Sequence, residues 1–429
     1  RANADRSLRM AIKPVIDTWR HRANLASPDA ETRRTAAADL GMSGRVSAIP
    51  WLESAVANES HRWARYAMEE SVLLLKLASD DPAVKQQAAA KLGDMRSQNA
   101  VPALQALVQA GGGESATAAI ERIESWNVWS SAIETLFRGI SLSSILLIMS
   151  LGLAIVFGLM GVINMAHGEL MMIGAYATYV VQNLFRAYLP GAFDWYLLAA
   201  LPVAFFSTAA VGWALERLVL RHLYGRPLET LLATFGLSLI LIQTVRLIFG
   251  AQNVEVANPS WLSGGIQLTQ QLVLPYNRIA TILFALAVLV TVWLLFQKTR
   301  LGLRVRAVTQ NRGMAAAMGI DTRRVDAGTF ALGAGVAGLA GVALSQLGNV
   351  GPELGQAYIV DSFMVVVLGG VGQLAGTVYA ALGLGVLNKL LEGWQGAVLA
   401  KIMVLVFIVV FIQKRPQGLF AVKGRSAEA

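Results

Sequence analysis

The hydrophobic positions fall into two regimes. From Gly139 onward, long uncharged runs follow one another: Gly139–Gly168, Leu170–Phe185, Trp195–Leu215, Thr230–Val245, Ile279–Gln297, Ala327–Pro352 and Ser362–Asn388. A helix that crosses a bilayer needs roughly 20 apolar residues. Buried helices of soluble proteins seldom give so many such runs in succession, so residues 129–429 read as a polytopic membrane domain. Residues 1–128 are polar, and between 27 and 125 they repeat themselves. Ala36-Ala37-Ala38-Asp39-Leu40-Gly41 recurs as Ala88-Ala89-Ala90-Lys91-Leu92-Gly93, and Ile49-Pro50-Trp51-Leu52 as Val101-Pro102-Ala103-Leu104. Both offsets are 52 residues. Each repeat predicts a helix, a Gly turn, a helix opened by Pro, and a further helix near 60–78 or 114–125. That is the pattern of a short HEAT-like α-solenoid. It serves either as a docking surface for a partner or as a cap on the outer face of the membrane domain. The expected fold is therefore all-α, a polytopic helical membrane domain preceded by a short helical-repeat domain.

Composition and charge sharpen this division. Of 429 residues 55% are hydrophobic and 15% charged, against about 25% charged in soluble proteins. The chain has no cysteine, which excludes disulfides, zinc–cysteine sites and a cysteine nucleophile. The net charge of +9 is unevenly placed: residues 1–138 hold 17 Lys/Arg and 16 Asp/Glu, and residues 139–429 hold 19 and 11. The basic excess thus belongs to the membrane domain and is a topology signal rather than a nucleic-acid footprint. Lys298, Arg300, Arg304, Arg306, Arg312, Arg323 and Arg324 fall in one loop, 298–326. Arg217, Arg221 and Arg226 fall in another, and Lys414, Arg415, Lys423 and Arg425 in the tail. By the positive-inside rule all three regions are cytoplasmic. The segment 250–277 lacks Lys and Arg and reads as outside. Counting spans back from 298 places the first domain in the periplasm. The first residue is Arg1, which leaves room for a leader or further domain ahead of it. Counting forward, a cytoplasmic tail requires one segment to enter and leave on the same side. The Gly-rich stretch Leu368-Gly369-Gly370-Val371-Gly372-Gln373-Leu374-Ala375-Gly376 is where the chain would turn. Such backbone is tolerated at membrane depth only when buried in protein or lining a wet cavity.

Three constellations carry candidate chemistry. The first, Gly158–Glu169, places Asn164, His167 and Glu169 after a glycine-punctuated apolar run. Ionisable groups at membrane depth are expensive and point to a substrate path. The alternative is a structural turn or a polar pair packing two helices. The second is the break around Gln373, with Gln346, Asn349, Glu353 and Asp361 nearby on the outer side. Two Gly-interrupted segments point to a midplane binding site between two halves. The third is Arg304–Asp326, too polar to span. Its Ala/Met/Gly pattern suits a short helix lying flat and inserting into a partner's groove, with Arg304, Asn311, Arg312, Met318, Gly319 and Asp321 as coupling residues. Gly333–Gly338 fits G-x-G-x-x-G, but no strand precedes it, and close packing of helices through small residues explains it better. No P-loop, G-x-S-x-G or H-E-x-x-H motif occurs, and none of the four His is paired at ligand spacing. An enzyme, a metal site and a cofactor are therefore not expected.

Gly152–Gly158 together with Gly161–Glu169 resembles the LivH-type permeases of branched-chain amino-acid ABC importers. Asn253–Gly265, Ala307–Asp321 and Gly348–Gln356 look more narrowly like the permease subunits of urea importers, and the extra helical domain fits that subgroup. The resemblance implies a bacterial inner-membrane subunit working in the lipid bilayer with a second homologous permease, two cytoplasmic ATPases and a periplasmic substrate-binding protein. It implies an ATPase-coupling role for Asn311, Arg312, Met318 and Gly319. Urea, small and neutral, needs only a narrow path of donors and acceptors. The scarcity of paired charge favours urea or a short amide over a zwitterionic amino acid, which is the alternative cargo. A stand-alone channel and a membrane scaffold are the readings from other classes.

Overall fold

The computed structural model describes residues 16–111, 113–269 and 272–420. The chain forms two compact units, one running to Ala132 and the other starting at Ile133.

In the first unit the sequence repeat is also a structural one. Helix α1 (Ala30–Met42) is followed by α2 (Ile49–Asn58) and α3 (Arg62–Lys76). Then come α4 (Pro82–Asp94) and α5 (Val101–Gln109), beginning 52 residues after α1 and α2. Local chemistry repeats at the same offset. Asp29 caps α1 by accepting from the Glu31 and Thr32 amides, and Asp81 caps α4 by accepting from the Ala83 amide; such caps satisfy amides that a helix start leaves free. Ala36, Ala37, Leu40 and Gly41 are buried in α1, and Ala88, Ala89, Leu92 and Gly93 in α4. Pro50 and Pro102 open α2 and α5, where a missing amide costs nothing. One ion pair is not repeated. Arg33 donates twice to Glu59, from Nε at 2.6 Å and Nη2 at 2.9 Å. The backbone amide of His61 also donates to Glu59, at 2.8 Å. Arg33 holds its carboxylate down to about 2 from the ordinary 4.5.

The second unit is built from α6 (Gly113–Met160), whose apolar half lies here, α7 (His167–Tyr188), α8 (Tyr196–Leu218) and α9 (Pro227–Phe249). A small antiparallel hairpin, β1 (Gly265–Gln267) and β2 (Val273–Pro275), pairs Ile266 with Leu274. It precedes α10 (Tyr276–Lys298), α11 (Arg300–Gln310), α12 (Arg312–Ala317) and α13 (Thr322–Ser345). The chain ends in α14 (Leu354–Gly369), α15 (Leu374–Gln395) and α16 (Ala397–Lys414).

Among the described residues seven helices are long and apolar enough to cross a membrane: α6, the stretch 190–222 containing α8, α9, α10, α13, α15 and α16. This is the expected polytopic helical architecture. Helix α7, at 22 residues roughly 33 Å long, has the length but not the apolarity. Helix α14 is apolar but has only 16 residues. Helix α13 is largely enclosed, second to the apolar half of α6, and packs against α6, α7 and α8 through its small residues. A Cβ on Gly333 would lie 2.7 Å from the Val156 side chain, and one on Gly341 would collide with the Met171 carbonyl. The G-x-G-x-x-G run is thus a close-packing surface, as expected from its uncharged surroundings.

Candidate functional site

The residues between α6 and α7 assemble a buried polar cluster. Gly161, with φ at +68°, turns the chain out of α6. Asn164 is 1% exposed, and its Oδ1 accepts from the Ala166 amide at 3.0 Å. His167 is fully buried and its Nε2 faces the Met149 carbonyl at 3.1 Å. A carbonyl can only accept, so Nε2 carries the hydrogen and Nδ1 is left as an acceptor. Glu169 is 1% exposed, and its Oε1 accepts from the Ser238 hydroxyl of α9. Thr234, one turn earlier on α9, accepts from the Met165 amide at 3.1 Å. The cluster is therefore not a solvated turn. It is held from three sides by α6, α7 and α9, and α14 closes the fourth, where Gly168 and Gly355 bring their backbones together beside the Glu169 carboxylate.

Three atoms here have no hydrogen-bond partner: Asn164 Nδ2, His167 Nδ1 and Glu169 Oε2. Buried polar atoms are nearly always paired, so three orphans within six residues mark either a ligand's place or a strained packing site. They offer an amide donor, an imidazole acceptor and a carboxylate acceptor. Buried hydroxyls of Ser150 on α6, Tyr176 on α7 and Ser362 on α14 are likewise unpaired. Sequence reading missed these, and missed Ser238 and Thr234, because an isolated hydroxyl in an apolar run gives no signal.

The expected path residues do not form one site. Gln346, buried, hydrogen-bonds the Tyr196 hydroxyl at 3.2 Å and Ser345 at 3.2 Å, while its carbonyl accepts from Asn277 at 3.0 Å. Tyr196 in turn donates to the Ala257 carbonyl at 2.6 Å, so this network ties the 251–263 loop to the ends of α8, α10 and α13. Glu353 is exposed and paired with Arg246. Asn349 is exposed. Gln373 lies at the break between α14 and α15, where its carbonyl accepts from Thr377 at 3.0 Å. The break occurs where the glycines predict it, with Gly370 at φ +97° and Gly372 at +82°. It also meets the first constellation: the backbones of Gly158 and Gly372 are in contact. The carbonyl of Leu368 at the end of α14 is satisfied by the Leu419 amide at 2.8 Å; within the break Gly370 is buried and Gly372 is exposed.

The 298–326 loop folds as two short helices. Asn311 caps α12 through Oδ1, which accepts from Met314 at 2.9 Å. Gly319, at φ +84°, ends it in a conformation that side chains resist. Met314 and Met318 are 62% and 76% exposed. Arg312 pairs with the buried Asp326 and lies 5.5 Å over the Tyr224 ring. Tyr224 donates to Glu216 at 2.8 Å, and burial with that neighbouring carboxylate pushes its phenol far above the ordinary range. Asp321 caps α13 and pairs with Arg324 at 3.0 Å. Arg304 is exposed, whereas Arg306 anchors α11 by donating to the Phe296 carbonyl at 2.7 Å. Tyr224 and Glu216 were not legible as coupling residues, since they lie in the stretch 216–224, far in sequence from the 304–326 segment, and Asp326 at the end of that segment was not singled out. Among the described residues no group of three or more His, Asp or Glu could hold a metal ion.

The family model for the permease component of branched-chain amino acid transport systems matches residues 135–412. The high-affinity branched-chain amino acid permease protein LivH of Salmonella typhimurium is 29% identical over 295 residues, 67% of this chain and 94% of LivH. The corresponding protein BraD of Pseudomonas aeruginosa is 28% identical over 293 residues, covering 67% and 95%. LivM of Escherichia coli is 28% identical over 305 residues, covering 65% and 68%. No solved structure matches the chain. These relatives are transport permeases, not enzymes, and their names give branched-chain amino acids rather than urea, which reverses the order of the two expected cargoes.

Proposed function

We propose a cargo and a working cycle for this chain, which belongs to the family of permease components of branched-chain amino acid transport systems. It is the membrane subunit of an ATP-driven importer, and its cargo is a branched-chain or related amino acid. The observation that carries this reading is the near end-to-end match with LivH, of which 94% aligns. A second homologous permease completes the pore, two cytoplasmic ATPases drive it and a periplasmic binding protein delivers cargo. The first unit, whose helices repeat every 52 residues, is a HEAT-like solenoid on the periplasmic side. Helix α12 and its exposed Met314 and Met318 seat an ATPase, and Arg312 passes the movement to α13 through Asp326. Each state is favoured only by the contacts it alone makes.

A second reading, urea, has its own support. No Lys or Arg is among the buried residues described, while Asn164, His167 and Glu169 present neutral and acidic groups. A zwitterion's carboxylate would want a cation in that path; a neutral diamide would not. Vesicles holding the assembled complex with ATP, offered labelled leucine and labelled urea, decide between them. Leucine uptake supports the amino-acid cargo, and uptake of urea alone overturns it. Urea flux through this chain without ATPases would sink the importer reading altogether.

Coupling has a separate test. Arg312→Glu with Gly319→Glu should leave ATP hydrolysis running while uptake falls by roughly tenfold or more, a loss worth about 1.4 kcal/mol of coupling. The periplasmic placement requires α7 to cross the membrane. Because the chain lacks cysteine, a single Ser54→Cys can be labelled from outside with an impermeant maleimide in spheroplasts. Protection of that cysteine would put the first unit inside.

A further inference from the structure

A cavity of about 730 Å³ opens at the end of α8, between the 219–226 turn and the start of α13. Its walls include Trp213, Arg217, Arg221, Tyr224, Arg312 and Arg323. The acidic groups are already engaged. Glu216 accepts from Tyr224, Asp321 pairs with Arg324, and Asp326 beneath pairs with Arg312. Arg217, Arg221 and Arg323 have no carboxylate partner among the described residues, and Arg217 stacks 5.2 Å over the Trp213 ring. The cavity is thus net cationic, and among the described residues the guanidinium groups of Arg217, Arg221 and Arg323 have no carboxylate to compete with an incoming anion.

Its surroundings say which anion. The apolar windows of the 190–222 stretch and of α9 are only 28% and 22% buried. Phe206 and Trp213 on α8 and Leu228 and Leu232 on α9 stand 68%, 45%, 77% and 69% exposed. A tryptophan at a helix end with arginines beyond it is the arrangement of a membrane interface. A cationic pocket there meets headgroups, with an apolar track beside it for acyl chains.

We propose that this cavity binds the headgroup of an anionic phospholipid, a phosphodiester without a balancing ammonium, with its acyl chains along α8 and α9. Guanidinium forks match phosphate oxygens two at a time. Because Arg312 forms the inner wall, an occupied cavity would also brace the coupling segment against α8 and the 219–226 turn. The assignment rests on the membrane-spanning character of α8 and α9 and not on the cargo.

Native mass spectrometry of the full chain, released from micelles doped with phosphatidylglycerol or phosphatidylcholine, tests it. The wild type should retain phosphatidylglycerol roughly tenfold better, as expected for a few arginines near a lipid phosphate. Arg217→Gln/Arg221→Gln/Arg323→Gln should lose that preference, and the matching Arg→Lys triple variant should keep most of it. The Lys variant separates loss of charge from loss of fold. Equal retention of both lipids by the wild type, or an unchanged preference in the Gln variant, overturns the proposal. Displacement of phosphatidylglycerol by millimolar inorganic phosphate would make the cavity a site for a soluble anion and overturn it. Exclusion of the lipid from the purified complex with ATPases would make it a seat for a protein partner, with the same consequence.

Discussion

The two units solve the same packing problem in different ways. In the first unit, buried Ala and Leu repeat at a fixed interval, and an ion pair at the edge, Arg33 with Glu59, joins α1 to the end of α2 within the first repeat. Burial from water drives that arrangement, so modest contacts suffice. In the second unit α13 meets its neighbours backbone to backbone: Gly338 against Gly174, Gly341 against Met171, Gly333 against Gly152. Lipid tails are as apolar as Leu, so helices there gain little by hiding apolar surface from each other. They associate by close approach, which only small residues permit. The contrast is one of extent: Gly41 and Gly93 make room for Ser71 and Ala119 at single points of the first unit, whereas in the second unit such approaches run the length of α13.

The largest effect is expected from a bulky residue at the tightest approach along α13. Gly341→Leu should abolish assembly, at about 4 kcal/mol or more, because nothing in the Met171 backbone can yield. Gly236→Leu on α9, where no atom lies within reach, should leave yield and monodispersity in size-exclusion chromatography unchanged. Similar yields for the two variants would show that close packing does not hold α13.

A smaller effect is expected where polarity rather than packing is at stake. Glu169→Gln keeps the volume and can still accept from Ser238, but removes the charge beside Gly355. Asn164→Leu removes the amide that caps the turn before α7. Each should lower uptake by about tenfold, near 1.4 kcal/mol, while the complex still purifies. Normal uptake in both would make the cluster a helix-packing device, consistent with its three unpaired atoms being strain rather than a ligand site.

Much of this was legible in the sequence, for physical reasons. Uncharged runs report spans because a charge in hydrocarbon is expensive, and glycine pairs report breaks because positive φ is expensive for anything else. The 52-residue offset survived because every repeat needs the same cap and the same buried Ala. The cluster's membership was half legible. Asn164, His167 and Glu169 stand out against an apolar run, but Ser238 and Thr234 lie 69 and 70 residues beyond Glu169 and Asn164 in sequence, and only packing brings them in. Gln346, Asn349, Glu353 and Gln373 were grouped by polarity alone. Their separation into a loop anchor, an exposed amide, an ion pair and a helix break depends on which face each helix turns inward, which an apolar run without amphipathic period does not encode.

The smallest effect belongs to the first unit and probes whether its edges matter at all. Glu59 is buried and held by Arg33 and the His61 amide, so its carboxyl ionises near 2 in the folded chain against 4.5 as an ordinary group. A depressed folded value means stability that is fully present above about 4.5 and is lost as pH falls through that range toward about 2. Amides of α2 and the start of α3 should therefore lose protection across this window, in hydrogen exchange corrected for the intrinsic pH dependence. Glu59→Gln should flatten the profile, since it removes the titrating group, and should lower protection at neutral pH because Arg33 is left without its anion. An unchanged profile in that variant would mean that the Ala/Leu interior alone holds the repeat. The edge ion pair would then contribute no more than an exposed one, and the two units would differ less than their contacts suggest.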